Sequence, residues 1–349
     1  MDRKPAAPPR RASRRYASYA ILAAFFALVE LRFILFILQR PFQLSSEVAE
    51  GVLRGEPLWR PYQSRVLAPY LVHALNALTG TFVDAYAAFA LLVLFVSGFL
   101  VLALTDRLRD PARPPVAAFL LFQVTFMFLV PSLWLYPWDL LSLPLFIVFN
   151  YLVLRRARRA WFVLLYAIAV FNHEIAFFMA GWLVLDPLVR FAAGRRKKSA
   201  RVRLDWGTFL LGCGLLLAGI ALVHQLRETL LVREVLHPEV LPGLTVYGRS
   251  FHLTLLQNWN TIATSFQFES RHALPFVVPL MVVPVLVLSV RLARSDGARC
   301  AALSAVQVGM IAAYLCFGLI PETRVLMPLV PFVAMNGWAA FQERALSTS

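Results

Sequence analysis

The 349-residue chain is 60% hydrophobic and only 15% charged, whereas soluble domains run at roughly 45–50% apolar and about 25% charged. That balance excludes an ordinary water-soluble enzyme and points to an all-α polytopic membrane protein. The net charge of +15 does not imply a nucleic-acid partner. The Lys and Arg gather in a few loops between apolar runs, which is the signature of membrane topology and of attraction to anionic lipid.

Taken in order, residues 1–15 are basic and Pro-rich and are expected to be a disordered cytoplasmic tail. The apolar run from Tyr16 onward is too long for a signal peptide and has no small-residue cleavage site. Span one is expected over 16–38, followed by an outer segment over 39–81. Within it, SRVLAPYLVHALNAL (64–78) reads as an amphipathic helix lying in the interface, because a true span there would place Arg107, Arg109 and Arg113 outside. Spans two, three and four are expected over 82–105, over 116–130, and from the aromatic turn PSLWLYPWD (131–139) back to the RRARR cluster.

The run 161–189 is flanked by Arg155, Arg156, Arg158 and Arg159 on one side and by Arg190, Arg195, Arg196, Lys197 and Lys198 on the other. One span would place heavy positive charge on both membrane faces, against the positive-inside rule. A hairpin turning at His173-Glu174 avoids this, with arms of ~15 residues, or ~22 Å, against a core of ~30 Å. Span seven is expected over 206–223, a second outer segment over 224–274, and further spans over 275–290, 301–320 and 325–341. The total is about ten spans in one membrane domain, 16–341, with residues 342–349 as a second cytoplasmic tail. Cys213, Cys300 and Cys316 show neither a disulfide framework nor metal-ligand spacing.

Lys and Arg in the inner loops set this topology. The ionisable residues outside those loops nevertheless fall together at outer helix ends: Arg65, Asp139, His173, Glu174, Glu322 and Arg324. Ionisable groups in such places suggest a shared outward-facing cavity. Structural alternatives stand beside each. Arg65 snorkels to lipid phosphate. Asp139 caps a helix. His173 donates to a backbone carbonyl. Glu174 forms a structural pair. Glu322 and Arg324 clamp each other or pair with Arg65 and Asp139. Glu30 and Arg32 in span one form a local pair. His73 sits in the interfacial helix. The His-Glu pair is not HExxH, and no GxSxG, P-loop or GxGxxG is present.

The span count and the large outer segments after spans one and seven resemble the GT-C class of membrane glycosyltransferases. The stretch VLRGEPLWRPYQSRVLAPYL (52–71), with Gly55, Pro57 and Trp59, resembles the first outer loop of bacterial members. QSRVLAP, YPWD, FNHE and PETRVLMPLVP are similar to patterns in bacterial membrane proteins near that class. The charge-derived topology places both termini in the cytoplasm, and the resemblance implies an integral protein of the bacterial inner membrane. It also implies a site facing outward and transfer of a sugar from a polyprenyl-phosphate donor to an envelope acceptor. The acid that such enzymes carry just after span one falls near Pro41 here, leaving Glu47, Glu50 or Glu30 to stand in for it.

Inverting transfer from a lipid phosphate needs a carboxylate to deprotonate the acceptor hydroxyl, cations on the departing phosphate and an apolar groove. Arg65 and Arg324 suit the phosphate. Glu174, Asp139, Glu47 and Glu50 are candidate bases, and His173 is a candidate base, metal ligand or phosphate donor. The set identifies no cofactor with certainty and is compatible with a divalent metal. Tyr247, Trp259, Asn258 and Asn260 in 224–274 offer groups for a sugar or acceptor. A transporter or flippase would use the same buried ions, but its usual internal repeat is not visible. A non-catalytic partner in envelope assembly is the third class.

Overall fold

The computed structural model describes residues 9–55, 62, 64–111, 113–130, 134–196, 203–227, 254–265, 277–295, 297–318 and 322–347. Among them every regular element is helical. The elements are α1 (Pro9–Ile37), α2 (Gln39–Arg54), α3 (Leu67–Thr79), α4 (Phe82–Leu108), α5 (Pro115–Leu129), α6 (Pro137–Leu154) and α7 (Arg159–Val170). They continue with α8 (Phe177–Arg196), α9 (Trp206–Gln225), α10 (Leu255–Ser265), α11 (Val277–Ser295), α12 (Gly297–Phe317) and α13 (Val330–Ser347). Short 3-10 segments, Glu174–Ala176 and Thr323–Leu329, precede α8 and α13.

Among the described residues, six helical stretches are long and apolar enough to cross a membrane: Ser13–Ile37, Phe82–Leu108, Pro137–Leu154, Glu174–Arg195, Trp206–Gln225 and Cys300–Phe317. Their exposed side chains are themselves apolar, with Ile21, Phe25, Phe36, Leu210 and Leu217 among them, so lipid rather than water is their solvent. Pro115–Leu129, Arg159–Val170 and Val282–Ala293 are apolar but shorter. The expected tail differs in one respect: Pro9–Arg15 is already helical, and Arg15 pairs with Asp106 at the end of α4.

Helix α4 is the centre of the first half, touching α1, α2, α3, α5 and α6. In the second half α8 lies between α9 and α12, and α13 joins the halves by packing on α5, α6 and α11. With no hydrophobic drive between helices in lipid, close approach depends on small residues. At Gly212 of α9 an added Cβ would sit 2.8 Å from the Val184 backbone nitrogen of α8, so only glycine admits this contact. The expected interfacial helix over 64–78 is α3, packed on α4 and α6. Gly80 ends it in the left-handed conformation, φ 84°, which costs glycine nothing. The helix α2 has a buried face of Phe42, Ser45, Val48, Ala49 and Val52, and Phe42 stacks on Tyr86 of α4 at 4.3 Å.

Candidate functional site

The start of α6 is fixed by its own sequence. Pro137 takes the first helical position, where its missing N–H costs nothing. Asp139 follows in the first turn, and its Oδ2 accepts the Tyr136 N–H at 3.1 Å, favoured by the positive end of the helix. Asp139 is therefore not the N-cap, which is Tyr136, but the third residue of the first turn reaching back to it, and this is not its whole role. Arg324 Nη1 lies 3.2 Å from the same oxygen, and both side chains are only 2% exposed. The 3-10 segment holds Arg324 there, because the neighbouring Thr323 hydroxyl donates to the Leu129 carbonyl at the end of α5, at 3.0 Å. Arg324 Nη2 donates to Glu322 at 2.8 Å, and its guanidinium lies 4.4 Å from the Tyr136 ring centroid. The expected clamp of Arg324 with Glu322 and Asp139 is thus present.

The hairpin turns where the flanking charge required. Helix α7 stops at Val170, and the Asn172 and His173 N–H groups both fold back to the Ala169 carbonyl, each at 3.0 Å. The Asn172 side-chain amide donates to the Trp138 carbonyl at 2.8 Å and to Ser142 Oγ at 3.2 Å, which pins the turn to the first turn of α6. The Leu67 N–H donates to the Phe171 carbonyl at 3.0 Å, which brings Ser64 and Arg65 alongside. Glu174 then receives three donors from two distant segments. Ser64 Oγ donates to Oε1 at 2.6 Å, Arg65 Nε to Oε2 at 3.0 Å, and Arg227, just beyond α9, to Oε1.

An aromatic bridge joins the two ion-pair groups. Tyr62 stacks on Trp138 at 5.3 Å and tilts over Tyr136 at 5.4 Å, while Tyr136 and Trp138 stack at 4.7 Å. Arg65 lies over both Tyr62 and Trp138, at 4.9 and 5.6 Å, and Arg324 lies over Tyr136. Five short parts of the chain, Tyr62 with Ser64 and Arg65, 136–139, 172–174, Arg227 and 322–324, therefore meet in one cluster. Arg65 and Arg227 against Glu174 make one part net positive. Arg324 against Asp139 and Glu322 makes the other net negative.

His173 does not donate to a backbone carbonyl, the role given it by the structural reading of the sequence. Its Nδ1 accepts the Ile175 N–H at 3.1 Å, so that nitrogen carries no proton and the 3.2 Å approach to Glu174 is not a hydrogen bond. Burial, then the nearby Arg65 charge, hold the imidazole well below its ordinary pKa. A neutral ring with its proton on Nε2 is a poor candidate base.

The remaining candidates stand apart. Glu47 accepts from Gln43, and Glu50 pairs with Arg54, on the outward side of α2; no hydrogen bond or ion pair joins them to the cluster. Glu30 and Arg32 do not form the expected pair. Two residues apart on a helix they face different directions, and both Glu30 carboxylate oxygens are buried with no hydrogen-bond partner. His73 is exposed on α3. Asn258 is a structural residue that donates to the Leu315 and Gly318 carbonyls at 2.8 Å each, closing the end of α12. Trp259 and Asn260 are exposed. Pro57, Trp59 and Tyr247 lie outside the described residues.

Sequence reasoning missed Arg227, Ser64, Tyr62 and the inward role of Tyr136 and Trp138. Arg227 carried a usable signal, since it is a cation immediately beyond the outer end of an expected span, as Arg324 is. Among the described residues no three His, Cys, Asp or Glu side chains lie close enough to hold a metal ion, so the divalent-metal alternative has no ligand set there. No family profile, curated protein or solved structure matches the chain.

Proposed function

We propose that this is a membrane glycosyltransferase of the GT-C kind. In this reading it moves a sugar from a polyprenyl-phosphate donor to an envelope acceptor at the outer face of the bacterial inner membrane. About ten spans with both termini inside remain the topology proposed from the charge pattern. The observation that carries the proposal is a surplus of hydrogen-bond donors in the cluster. Among the described residues Trp138 Nε1 and Arg324 Nε are buried without a partner, and Arg65 uses only its Nε on Glu174. Asn172 Oδ1 is the one orphaned acceptor among these residues. Donors without acceptors, at the ends of lipid-facing helices, suit a ligand that brings acceptor oxygens on an apolar tail, and a lipid phosphate is such a ligand.

In the reaction the acceptor hydroxyl oxygen bonds to the sugar C1. The bond from C1 to the phosphate oxygen breaks, and its electron pair leaves with the lipid phosphate. The hydroxyl proton passes to a carboxylate. Glu174 is the carboxylate assigned to that proton, because Asp139 is committed to Arg324 and the Tyr136 N–H. Arg65 and Arg324 take the leaving charge.

The test is transfer by the purified protein from a short polyprenyl-phosphate sugar, read as lipid phosphate released. Arg65→Ala and Arg324→Ala should each lower turnover about 10²–10³-fold. Lys at Arg65 should recover only part, since it keeps the charge and loses the fork. The near-complete closure of Arg324 and Asp139 also suits an occluded state of a transporter. Glu174-dependent movement of a solute across liposomes, with no binding of polyprenyl phosphate, would replace the transferase reading.

A further inference from the structure

As a base, Glu174 presents a difficulty. Its two oxygens are filled by Ser64, Arg65 and Arg227, and a carboxylate between two guanidinium groups has little appetite for a proton. The three donors come from segments 109 and 110 residues before Glu174 and 53 residues after it, so they are not a local helix pairing. They are the donor set that a phosphate oxyanion would need: a hydroxyl, an arginine lying against the Tyr62 and Trp138 rings, and a second arginine from beyond α9. At that position the carboxylate copies two oxygens of a phosphate.

We infer that Ser64, Arg65 and Arg227 form an oxyanion seat, and that Glu174 is its resident occupant, displaced when the phosphate of a lipid carrier binds. The inference rests on the phosphate-binding reading of the cluster. Two charges favour the exchange. The donor's diester phosphate matches the single charge of Glu174, and the lipid phosphate it releases carries up to two, which Arg65 and Arg227 together satisfy better. The two Nη groups of Arg65, which make no hydrogen bond to the described residues, gain acceptors as well. Displacement then changes Glu174 itself. It loses two cations and acquires an anionic neighbour, and both changes favour the protonated form. The carboxylate becomes a base only once the donor is seated, so base and sugar donor come into play together.

The experiment is calorimetric binding of farnesyl phosphate, and separately of inorganic phosphate, to the full chain in detergent. Glu174→Gln removes the competing charge and should bind farnesyl phosphate at least about tenfold tighter than the native protein. Glu174→Asp keeps the charge with a shorter reach and should fall between the two, and it serves if the Gln variant does not fold. Arg227→Ala should bind more weakly than the native protein. If the native protein binds and Arg65→Ala does not, yet neither Glu174 variant binds more tightly, the displacement is wrong while the phosphate site stands. If no form binds either probe, the phosphate reading falls with it. Equal affinity for both probes supports the seat and assigns it to free phosphate rather than lipid.

Discussion

Arg324 and Asp139 meet at 3.2 Å across 185 residues of chain, with each side chain only 2% exposed. A charge pair this deep gains little over apolar groups of the same shape, but removing one member strands the other. Arg324→Ala would leave Asp139 and Glu322 without their cation and should cost about 3–5 kcal/mol. The check is the melting temperature in detergent. Asp139→Asn combined with Arg324→Met should regain part of the loss, and an Arg324→Ala protein that melts like the native one would show that the pair is not a clamp.

The approach of α9 to α7 and α8 depends on Gly219. A Cβ there would overlap the Tyr166 hydroxyl and lie 2.9 Å from Phe177. Gly219→Ala should destabilise by about 1–3 kcal/mol through overpacking. Tyr166→Phe removes the overlapping oxygen along with its bond to the Leu215 carbonyl. In the double variant it should therefore relieve some of the damage. Additive losses in the two single variants would count against this contact.

His173 sets an acid limit on stability. Burial and the Arg65 charge depress its folded-state pKa, so the unfolded chain binds the proton more readily. Its contribution is complete above the unfolded value of about 6.5 and declines as the pH falls below it, by at most about 1.4 kcal/mol per pH unit. Melting curves between pH 7.5 and 5.5 should therefore be steeper for the native protein than for His173→Gln. Identical slopes would mean that this ring does not titrate on unfolding.

Glu30 is a buried carboxyl with neither oxygen bonded. Replacing it by an apolar residue should not destabilise, because no partner is stranded. Glu30→Leu is expected to melt at or above the native temperature and to retain farnesyl phosphate binding. Loss of binding in a folded Glu30→Leu protein would bring span one into the site.

The proposed orientation has a direct check in a background lacking Cys213, Cys300 and Cys316. Asn260→Cys should react with an impermeant maleimide from outside intact cells, and Arg156→Cys only after the membrane is opened. The reverse pattern would invert the molecule and place the cluster in the cytoplasm.

Much of the fold is legible without coordinates because its causes are local. Apolar runs specify helices, and the arginines flanking 161–189 require a turn near His173, where the chain does turn. Pro137 and Asp139 announce the start of α6 within a few residues. The face of α2 is equally legible: Phe42, Val48, Ala49 and Val52 are buried together, which leaves Glu47 and Glu50 on the other side. Read as a periodic pattern, that stretch places both acids off the packed face.

What the sequence by itself determined is which residues carry charge at the ends of helices. Only the tertiary structure decided who meets whom. Nothing in Glu174 or its neighbours specifies Ser64, Arg65 and Arg227 as partners, and nothing in Arg324 chooses Asp139 over the Glu174 carboxylate. Those choices follow from the Leu67–Phe171 hydrogen bond, the Asn172 contacts to α6 and the Thr323 bond to α5, each between segments remote in the chain. The reason is physical: helix formation and membrane insertion are satisfied within a segment, whereas a buried charge is satisfied only by whatever group packing brings to it.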